Sequence, residues 1–114
     1  MKKNIENYVV TNTGLLKEAV ESIKRNKSRC VIVIDKSLKV LGVVSEGDIL
    51  NEILQGRNLF SPIEQIMNIN FKYLKKYNKE DGLKIFKKYG ITLIPIIDKD
   101  FILKDVLTIN DLLN

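Results

Sequence analysis

Apolar and polar positions along this chain switch between two periods. A short β-branched run, Tyr8-Val9-Val10-Thr11, has the composition of an edge strand. Leu15, Leu16, Ala19, Val20 and Ile23 then recur at helical spacing, which leaves Glu18 and Glu21 on the opposite, charged face. Cys30-Val31-Ile32-Val33-Ile34 has no polar interruption and is too short for a buried helix, so it predicts an interior strand covered on both faces. Asp35-Lys36-Ser37 supplies a polar turn. A strand over 38–44 and a helix over 46–54 follow, with Ile49, Leu50, Ile53 and Leu54 on one side. The predicted unit is strand, helix, strand, strand, helix.

Gln55-Gly56-Arg57-Asn58 breaks the pattern, and Ser61-Pro62-Ile63-Glu64 has the capping serine, leading proline and third-position glutamate of a short helix through Met67. The pattern then begins again near Phe71. A helix is expected from Asn78 to Tyr89, stopped at Gly90. A strand over 91–97, the turn Asp98-Lys99-Asp100, a strand over 101–107 and a helix opening at Asp111 complete it. The two copies align without a gap at one offset, since 98 − 35 = 63, 106 − 43 = 63 and 111 − 48 = 63. Lys24 aligns with Lys87, Ile34 with Ile97, and Leu50 with Leu113. The chain therefore reads as an α/β (α+β) protein of two repeats, residues 1–57 and 71–114, joined by a folded linker over 58–70.

The repeated element with chemical content is Ser45-Glu46-Gly47-Asp48, echoed as Thr108-Ile109-Asn110-Asp111. Each matches a capping box, in which hydroxyl and carboxylate satisfy backbone amides at the start of a helix. The same geometry suits an anionic ligand: a helix N-terminus offers amides and a positive dipole end. There a hydroxyl can meet a phosphate, and an aspartate one turn in can accept both hydrogen bonds of a ribose cis-diol. Gly47 would let a ligand approach the first copy closely, whereas Asn110 stands in the second. Both readings stay open on the residues alone.

Composition narrows the chemistry further. The chain has no histidine and one cysteine. Internal disulfides, zinc fingers and histidine-based triads are thereby excluded, and no metal held by protein side chains is expected. Cys30 opens an apolar run and reads as a small buried hydrophobe. The net charge of +5 gathers at 24–29 and in the lysines of 72–88, mostly as solvated helix faces, with phosphates or acidic surfaces as suited partners. No RNA-binding sheet pattern or helix-turn-helix is visible, so nucleic acid is not an expected partner. The N-terminal basic residues precede no apolar stretch and no run reaches the roughly 20 residues of a membrane span, which makes the cytoplasm the expected location.

With Leu41-Gly42-Val43-Val44-Ser45-x-x-Asp48 in one copy, and Ile94-Pro95-Ile96-Ile97-Asp98 with Thr108-x-x-Asp111 in the other, the chain resembles a tandem pair of CBS (cystathionine-β-synthase) domains, a Bateman module. It is most similar to the CBS pairs that precede the catalytic domain of some bacterial sugar-phosphate nucleotidyltransferases. There the first copy reads Gly-x-x-Thr-Asp-Gly-Asp-Ile, beside Gly42-Val43-Val44-Ser45-Glu46-Gly47-Asp48-Ile49 here, and the second often carries an aspartate where Asp105 stands. The resemblance implies two β-α-β-β-α repeats packed with pseudo-two-fold symmetry. It implies a non-catalytic regulatory module that binds adenosine nucleotides in clefts between the repeats, associates as a homodimer through its helices, and is tethered to a catalytic domain. Carried over by position, Asp48 and Asp111 would hold ribose hydroxyls and Ser45 and Thr108 would contact phosphate or ribose. Arg29, ahead of the central strand, would contact phosphate in preference to Thr92 at the matching place. Asp105 alters the second pocket, so the first is the expected site of occupancy. The alternative is a structural dimerisation module in which the Ser/Thr-x-x-Asp elements are caps alone.

Overall fold

The structure is a computed structural model that describes residues 4–113, so residues 1–3 and 114 at the ends of the two predicted repeats lie outside it. Its elements run β1 Val9–Thr11, α1 Leu16–Asn26, β2 Cys30–Ile34, β3 Val40–Ser45, α2 Glu46–Leu54, α3 Lys79–Tyr89, β4 Leu93–Ile97 and β5 Leu103–Thr108. Short 3-10 segments stand at Ile5–Tyr8, Ile63–Gln65 and Ile109–Leu112. β2 is the middle strand of three, parallel to β1 and antiparallel to β3. β4 and β5 form an antiparallel pair.

The duplication is written in the backbone. Both hairpins have a register shift at matching places, between Val33 and Ile34 and between Ile96 and Ile97. Leu38 and Phe101 each take a left-handed φ, 68° and 64°, in the turn that joins the paired strands. Where the hairpins meet, the bonds are exchanged reciprocally. Val40 N donates to Phe101 O at 2.8 Å, and Leu103 N donates to Leu38 O at 2.9 Å. Because 103 − 40 = 63 and 101 − 38 = 63, a two-fold rotation turns each bond into the other. Lys39 bridges Ile102, its own counterpart at that offset, which puts the local axis between them.

Three apolar clusters follow from the strand pleat. Val31 and Val33 turn toward Leu16, Ala19 and Ile23 of α1. Cys30, Ile32 and Ile34, on the other face of β2, pack against Leu93, Ile97 and Val106 of the second repeat. Ile94 and Ile96 turn instead toward Phe86 of α3. Successive strand residues point to opposite faces, so a fully apolar strand needs cover on both sides. Here each repeat supplies the second cover for the other.

Three local expectations change. The helix predicted through Met67 is only the 3-10 turn Ile63–Gln65. Ser61 does not cap it, its hydroxyl accepting instead from Asn58 N at 3.2 Å, and Pro62 is extended. Tertiary bonds hold both ends: Leu16 N donates to Ser61 O at 2.9 Å, and Asn68 N donates to Val43 O at 2.8 Å. The final helix is a 3-10 segment that starts at Ile109 rather than at Asp111. The first strand of the second repeat is reduced to a one-residue bridge from Leu74 to Ile96.

Candidate functional site

β3 ends at Ser45 in extended geometry, and the next residue opens α2. Asp48 N donates to Ser45 Oγ at 3.1 Å, and Ser45 N donates to Asp48 Oδ2 at 2.9 Å, a closed capping box. The box occupies one carboxylate oxygen of Asp48, and Oδ1 faces no donor among the described residues. A Cβ on Gly47 would come no nearer than 3.7 Å to a neighbouring atom, that atom being Ser45 Oγ, so the entrance to the helix is open.

A cleft of about 510 Å³ lies in front of this turn. Arg29, Ser45 and Asp48 line it from the first repeat, Asn70 and Lys72 from the segment that follows the linker turn, and Tyr89 and Thr92 from the second repeat. Arg29 has a left-handed φ of 65°, and its Nε donates to Glu46 Oε1 at 3.1 Å on an exposed edge. The same pair is tied through the backbone, Glu46 N donating to Arg29 O at 3.0 Å. Thr92, which aligns with Arg29 (92 − 29 = 63), donates its hydroxyl across the repeat boundary to Ser28 O at 2.6 Å. Thr92 thus ties the second repeat to the first along the wall of the cleft, while Arg29 stands on its exposed edge.

Cys30 forms part of the wall. Burial pushes its thiol up to about 12, and the nearby Asp48 carboxylate adds to the rise. It therefore stays protonated at neutral pH and acts as wall, not nucleophile. No group of three or more His, Cys, Asp or Glu among the described residues is arranged to hold a metal ion.

Arg29, Ser45 and Asp48 meet in this cleft, but Thr108 and Asp111 are elsewhere. Thr108 is buried, and its amide donates to Asp111 Oδ2 at 2.8 Å, repeating the capping geometry. Sequence reasoning did not single out Asn70, Lys72 or Tyr89 as lining residues. They carry no motif, and the lysines of 72–88 read as solvated faces. The one available signal was the Phe71-Lys72-Tyr73 step, in which aromatics flank a lysine just where the second repeat begins.

The model of the CBS domain family matches residues 1–55. The first repeat is thus similar to the CBS domain family. The fold of both repeats is that of solved CBS proteins: a CBS domain protein from Pyrobaculum aerophilum, solved in complex with AMP, superposes with a TM-score of 0.78 at 21% identity, covering 96% of this chain and 89% of that one. An uncharacterised 17.7 kDa protein of Acidianus ambivalens is 29% identical over 92% of this chain and 64% of its own length. The inosine-5′-monophosphate dehydrogenase of Aquifex aeolicus is 25% identical over 85% of this chain and 20% of the enzyme. The chain thus spans under two thirds of the length of either relative. No helix among the described residues is long and apolar enough to cross a membrane.

Proposed function

We propose that the chain is a regulatory, non-catalytic CBS pair that senses an adenosine nucleotide in the cleft between its repeats. The observation that carries this reading is the convergence of Arg29, Ser45 and Asp48 on one open cleft roofed by residues of the other repeat. In it Asp48 Oδ1 accepts ribose hydroxyls, Ser45 holds Asp48 in place and contacts ribose or phosphate, and Arg29 contacts phosphate at the mouth. Thr108 and Asp111 form the matching but altered second site. The AMP bound to the Pyrobaculum protein of the same fold supports the ligand class. The domain boundaries we adopt are 1–57, 58–70 and 71–114.

The module works in the cytoplasm as a homodimer and regulates a tethered catalytic domain, for which we favour a sugar-phosphate nucleotidyltransferase on the strength of the Gly42-to-Ile49 motif and Asp105. Dimer formation is supported by α2, whose Leu50, Ile53 and Leu54 are 63%, 48% and 86% exposed beside an apolar groove against α1. Calorimetric titration with AMP, ADP, ATP and S-adenosylmethionine tests the reading. We expect saturable binding of one of them that is lost in Asp48→Ala and weakened less in Asp111→Ala. Absence of saturable binding, or binding that neither substitution alters, would overturn it.

A second reading, a structural dimerisation module without ligand, is favoured by two observations. The Ser45–Asp48 box is complete within the chain itself, and the apolar side of α2 is exposed. It predicts a dimer in sedimentation whose clefts stay empty in millimolar nucleotide.

A further inference from the structure

Two cations line the cleft, and their surroundings differ. Arg29 is already paired: its Nε bonds Glu46 Oε1 at 3.1 Å, and its side chain is 70% exposed. An anion arriving there would have to share the guanidinium with Glu46 and would meet that carboxylate's repulsion in a strongly solvated, screened position. Asp48 repels an anion in the same way from the ribose end of the first repeat's wall.

Lys72 stands on the facing wall with no carboxylate within ion-pair distance among the described residues. Its Nζ lies 4.3 Å from the centroid of the Tyr89 ring, and Lys88 Nζ lies 5.3 Å from the same ring. The ring face attracts both ammonium groups and steadies them, but it neutralises neither charge. Two like charges gathered on one ring repel each other, and an anion entering beside them relieves that repulsion. The negative groups of the cleft thus lie on the first repeat's wall and the uncompensated positive charge on the second's.

We infer that Lys72, steadied on Tyr89, is the main phosphate anchor of this cleft, with Arg29 the lesser contributor, so that the cleft selects phosphorylated adenosine ligands over adenosine itself. The inference rests on the proposed nucleotide site and names the specificity residue within it. An adenosine ligand would run from Asp48 on one repeat to Lys72 on the other, and the phosphate would hold the two walls together.

The test is a calorimetric titration of adenosine, AMP and ATP into the wild-type chain and into Lys72→Met, Lys72→Arg, Tyr89→Leu and Arg29→Met. Lys72→Met keeps the length and apolar stem of the side chain and removes only its charge. It should weaken AMP by about tenfold, as loss of a charge-assisted hydrogen bond does. Adenosine affinity should be unchanged. Lys72→Arg should restore most of the AMP affinity, Tyr89→Leu should lose part of it, and Arg29→Met should cost less than Lys72→Met. Raising the salt concentration should weaken AMP in the wild type more than in Lys72→Met. The inference is overturned if Lys72→Met weakens adenosine as much as AMP, or if Arg29→Met is the more damaging change. Adenosine binding that needs Asp48 while AMP ignores Lys72 would sink the Lys72 assignment and leave the nucleotide site standing. No saturable binding of any of the three ligands would overturn both.

Discussion

The two repeats share a backbone and differ around one cleft. At the common offset, hairpin register, turn geometry and reciprocal inter-repeat bonds coincide, while Gly42 aligns with Asp105 (105 − 42 = 63), Arg29 with Thr92 and Cys30 with Leu93. The glycine difference has a steric origin. A Cβ at Gly42 would stand 2.9 Å from Asn68 O, because Asn68 exchanges backbone hydrogen bonds with Val43 there. In the second repeat Asp105 is accommodated, and its Oδ1 accepts from the adjacent Val106 N at 2.7 Å. Duplicated segments keep what holds the two-fold packing together. They diverge where the single connecting segment can run along only one of them.

Exchanging these residues breaks the comparison most strongly. Gly42→Asp drives a side chain into the Asn68 backbone and buries a carboxylate, and should cost about 3 kcal/mol in chemical denaturation. The reverse change, Asp105→Gly, should cost about 1 kcal/mol. Next comes the helix pair Ala19 and Gly82 (82 − 19 = 63). A Cβ at Gly82 would overlap Leu107 Cδ2, so Gly82→Ala should destabilise by about 1–2 kcal/mol even though alanine is the better helix former. Ala19→Gly should cost about 1–2 kcal/mol, from helix propensity together with the loss of a buried methyl group.

Asp48→Ala and Asp111→Ala each remove one half of a capping box and should lower stability about equally, by about 1 kcal/mol. Thermal denaturation of the pair separates capping from ligand binding: a common stability loss with unequal nucleotide affinity sharpens the contrast between the sites.

Cys30 against Leu93 gives a pH test. The folded thiol keeps its proton up to about 12 against an ordinary value of 9.0, so above that ordinary value the unfolded chain binds fewer protons. Stability should therefore fall between about pH 9 and 12 more steeply in the wild type than in Cys30→Val, measured by denaturant midpoint. Smallest is the effect at the second turn. The Asp98 carboxyl is held below its ordinary value chiefly by the hydrogen bond from Ile102 N, with Asp100 N and Lys104 assisting. Its stabilising contribution is present above the unfolded-state value and is lost as pH falls through the folded one. A carboxyl NMR titration should show that low midpoint.

Much of the fold was legible in the residues. α2 begins and ends where the capping signal and spacing indicated, and α3 stops at Gly90 with a left-handed φ of 66°. The misread linker helix has a tertiary cause. Ser61-Pro62-Ile63-Glu64 holds every local signal of a helix start, yet bonds to Leu16 and Val43, distant in sequence, leave room for a single turn. At the cleft, Ser45 and Asp48 announced themselves through a repeated motif. Lys72 and Tyr89 did not, because a lysine and a tyrosine seventeen residues apart (89 − 72 = 17) carry no shared pattern until folding stacks them.

By itself the sequence determined the repeat, its strand and helix order, its caps and the need to cover both faces of 30–34. These follow from local spacing and from the alternation of side chains, which are properties of neighbouring residues. Only the tertiary structure decided that the cover for the second face is the other repeat, and that Arg29, Asp48 and Lys72 share one cleft. Those outcomes depend on contacts between segments far apart in the chain, fixed by how two apolar sheet faces and one connecting segment pack together, and no local pattern encodes them.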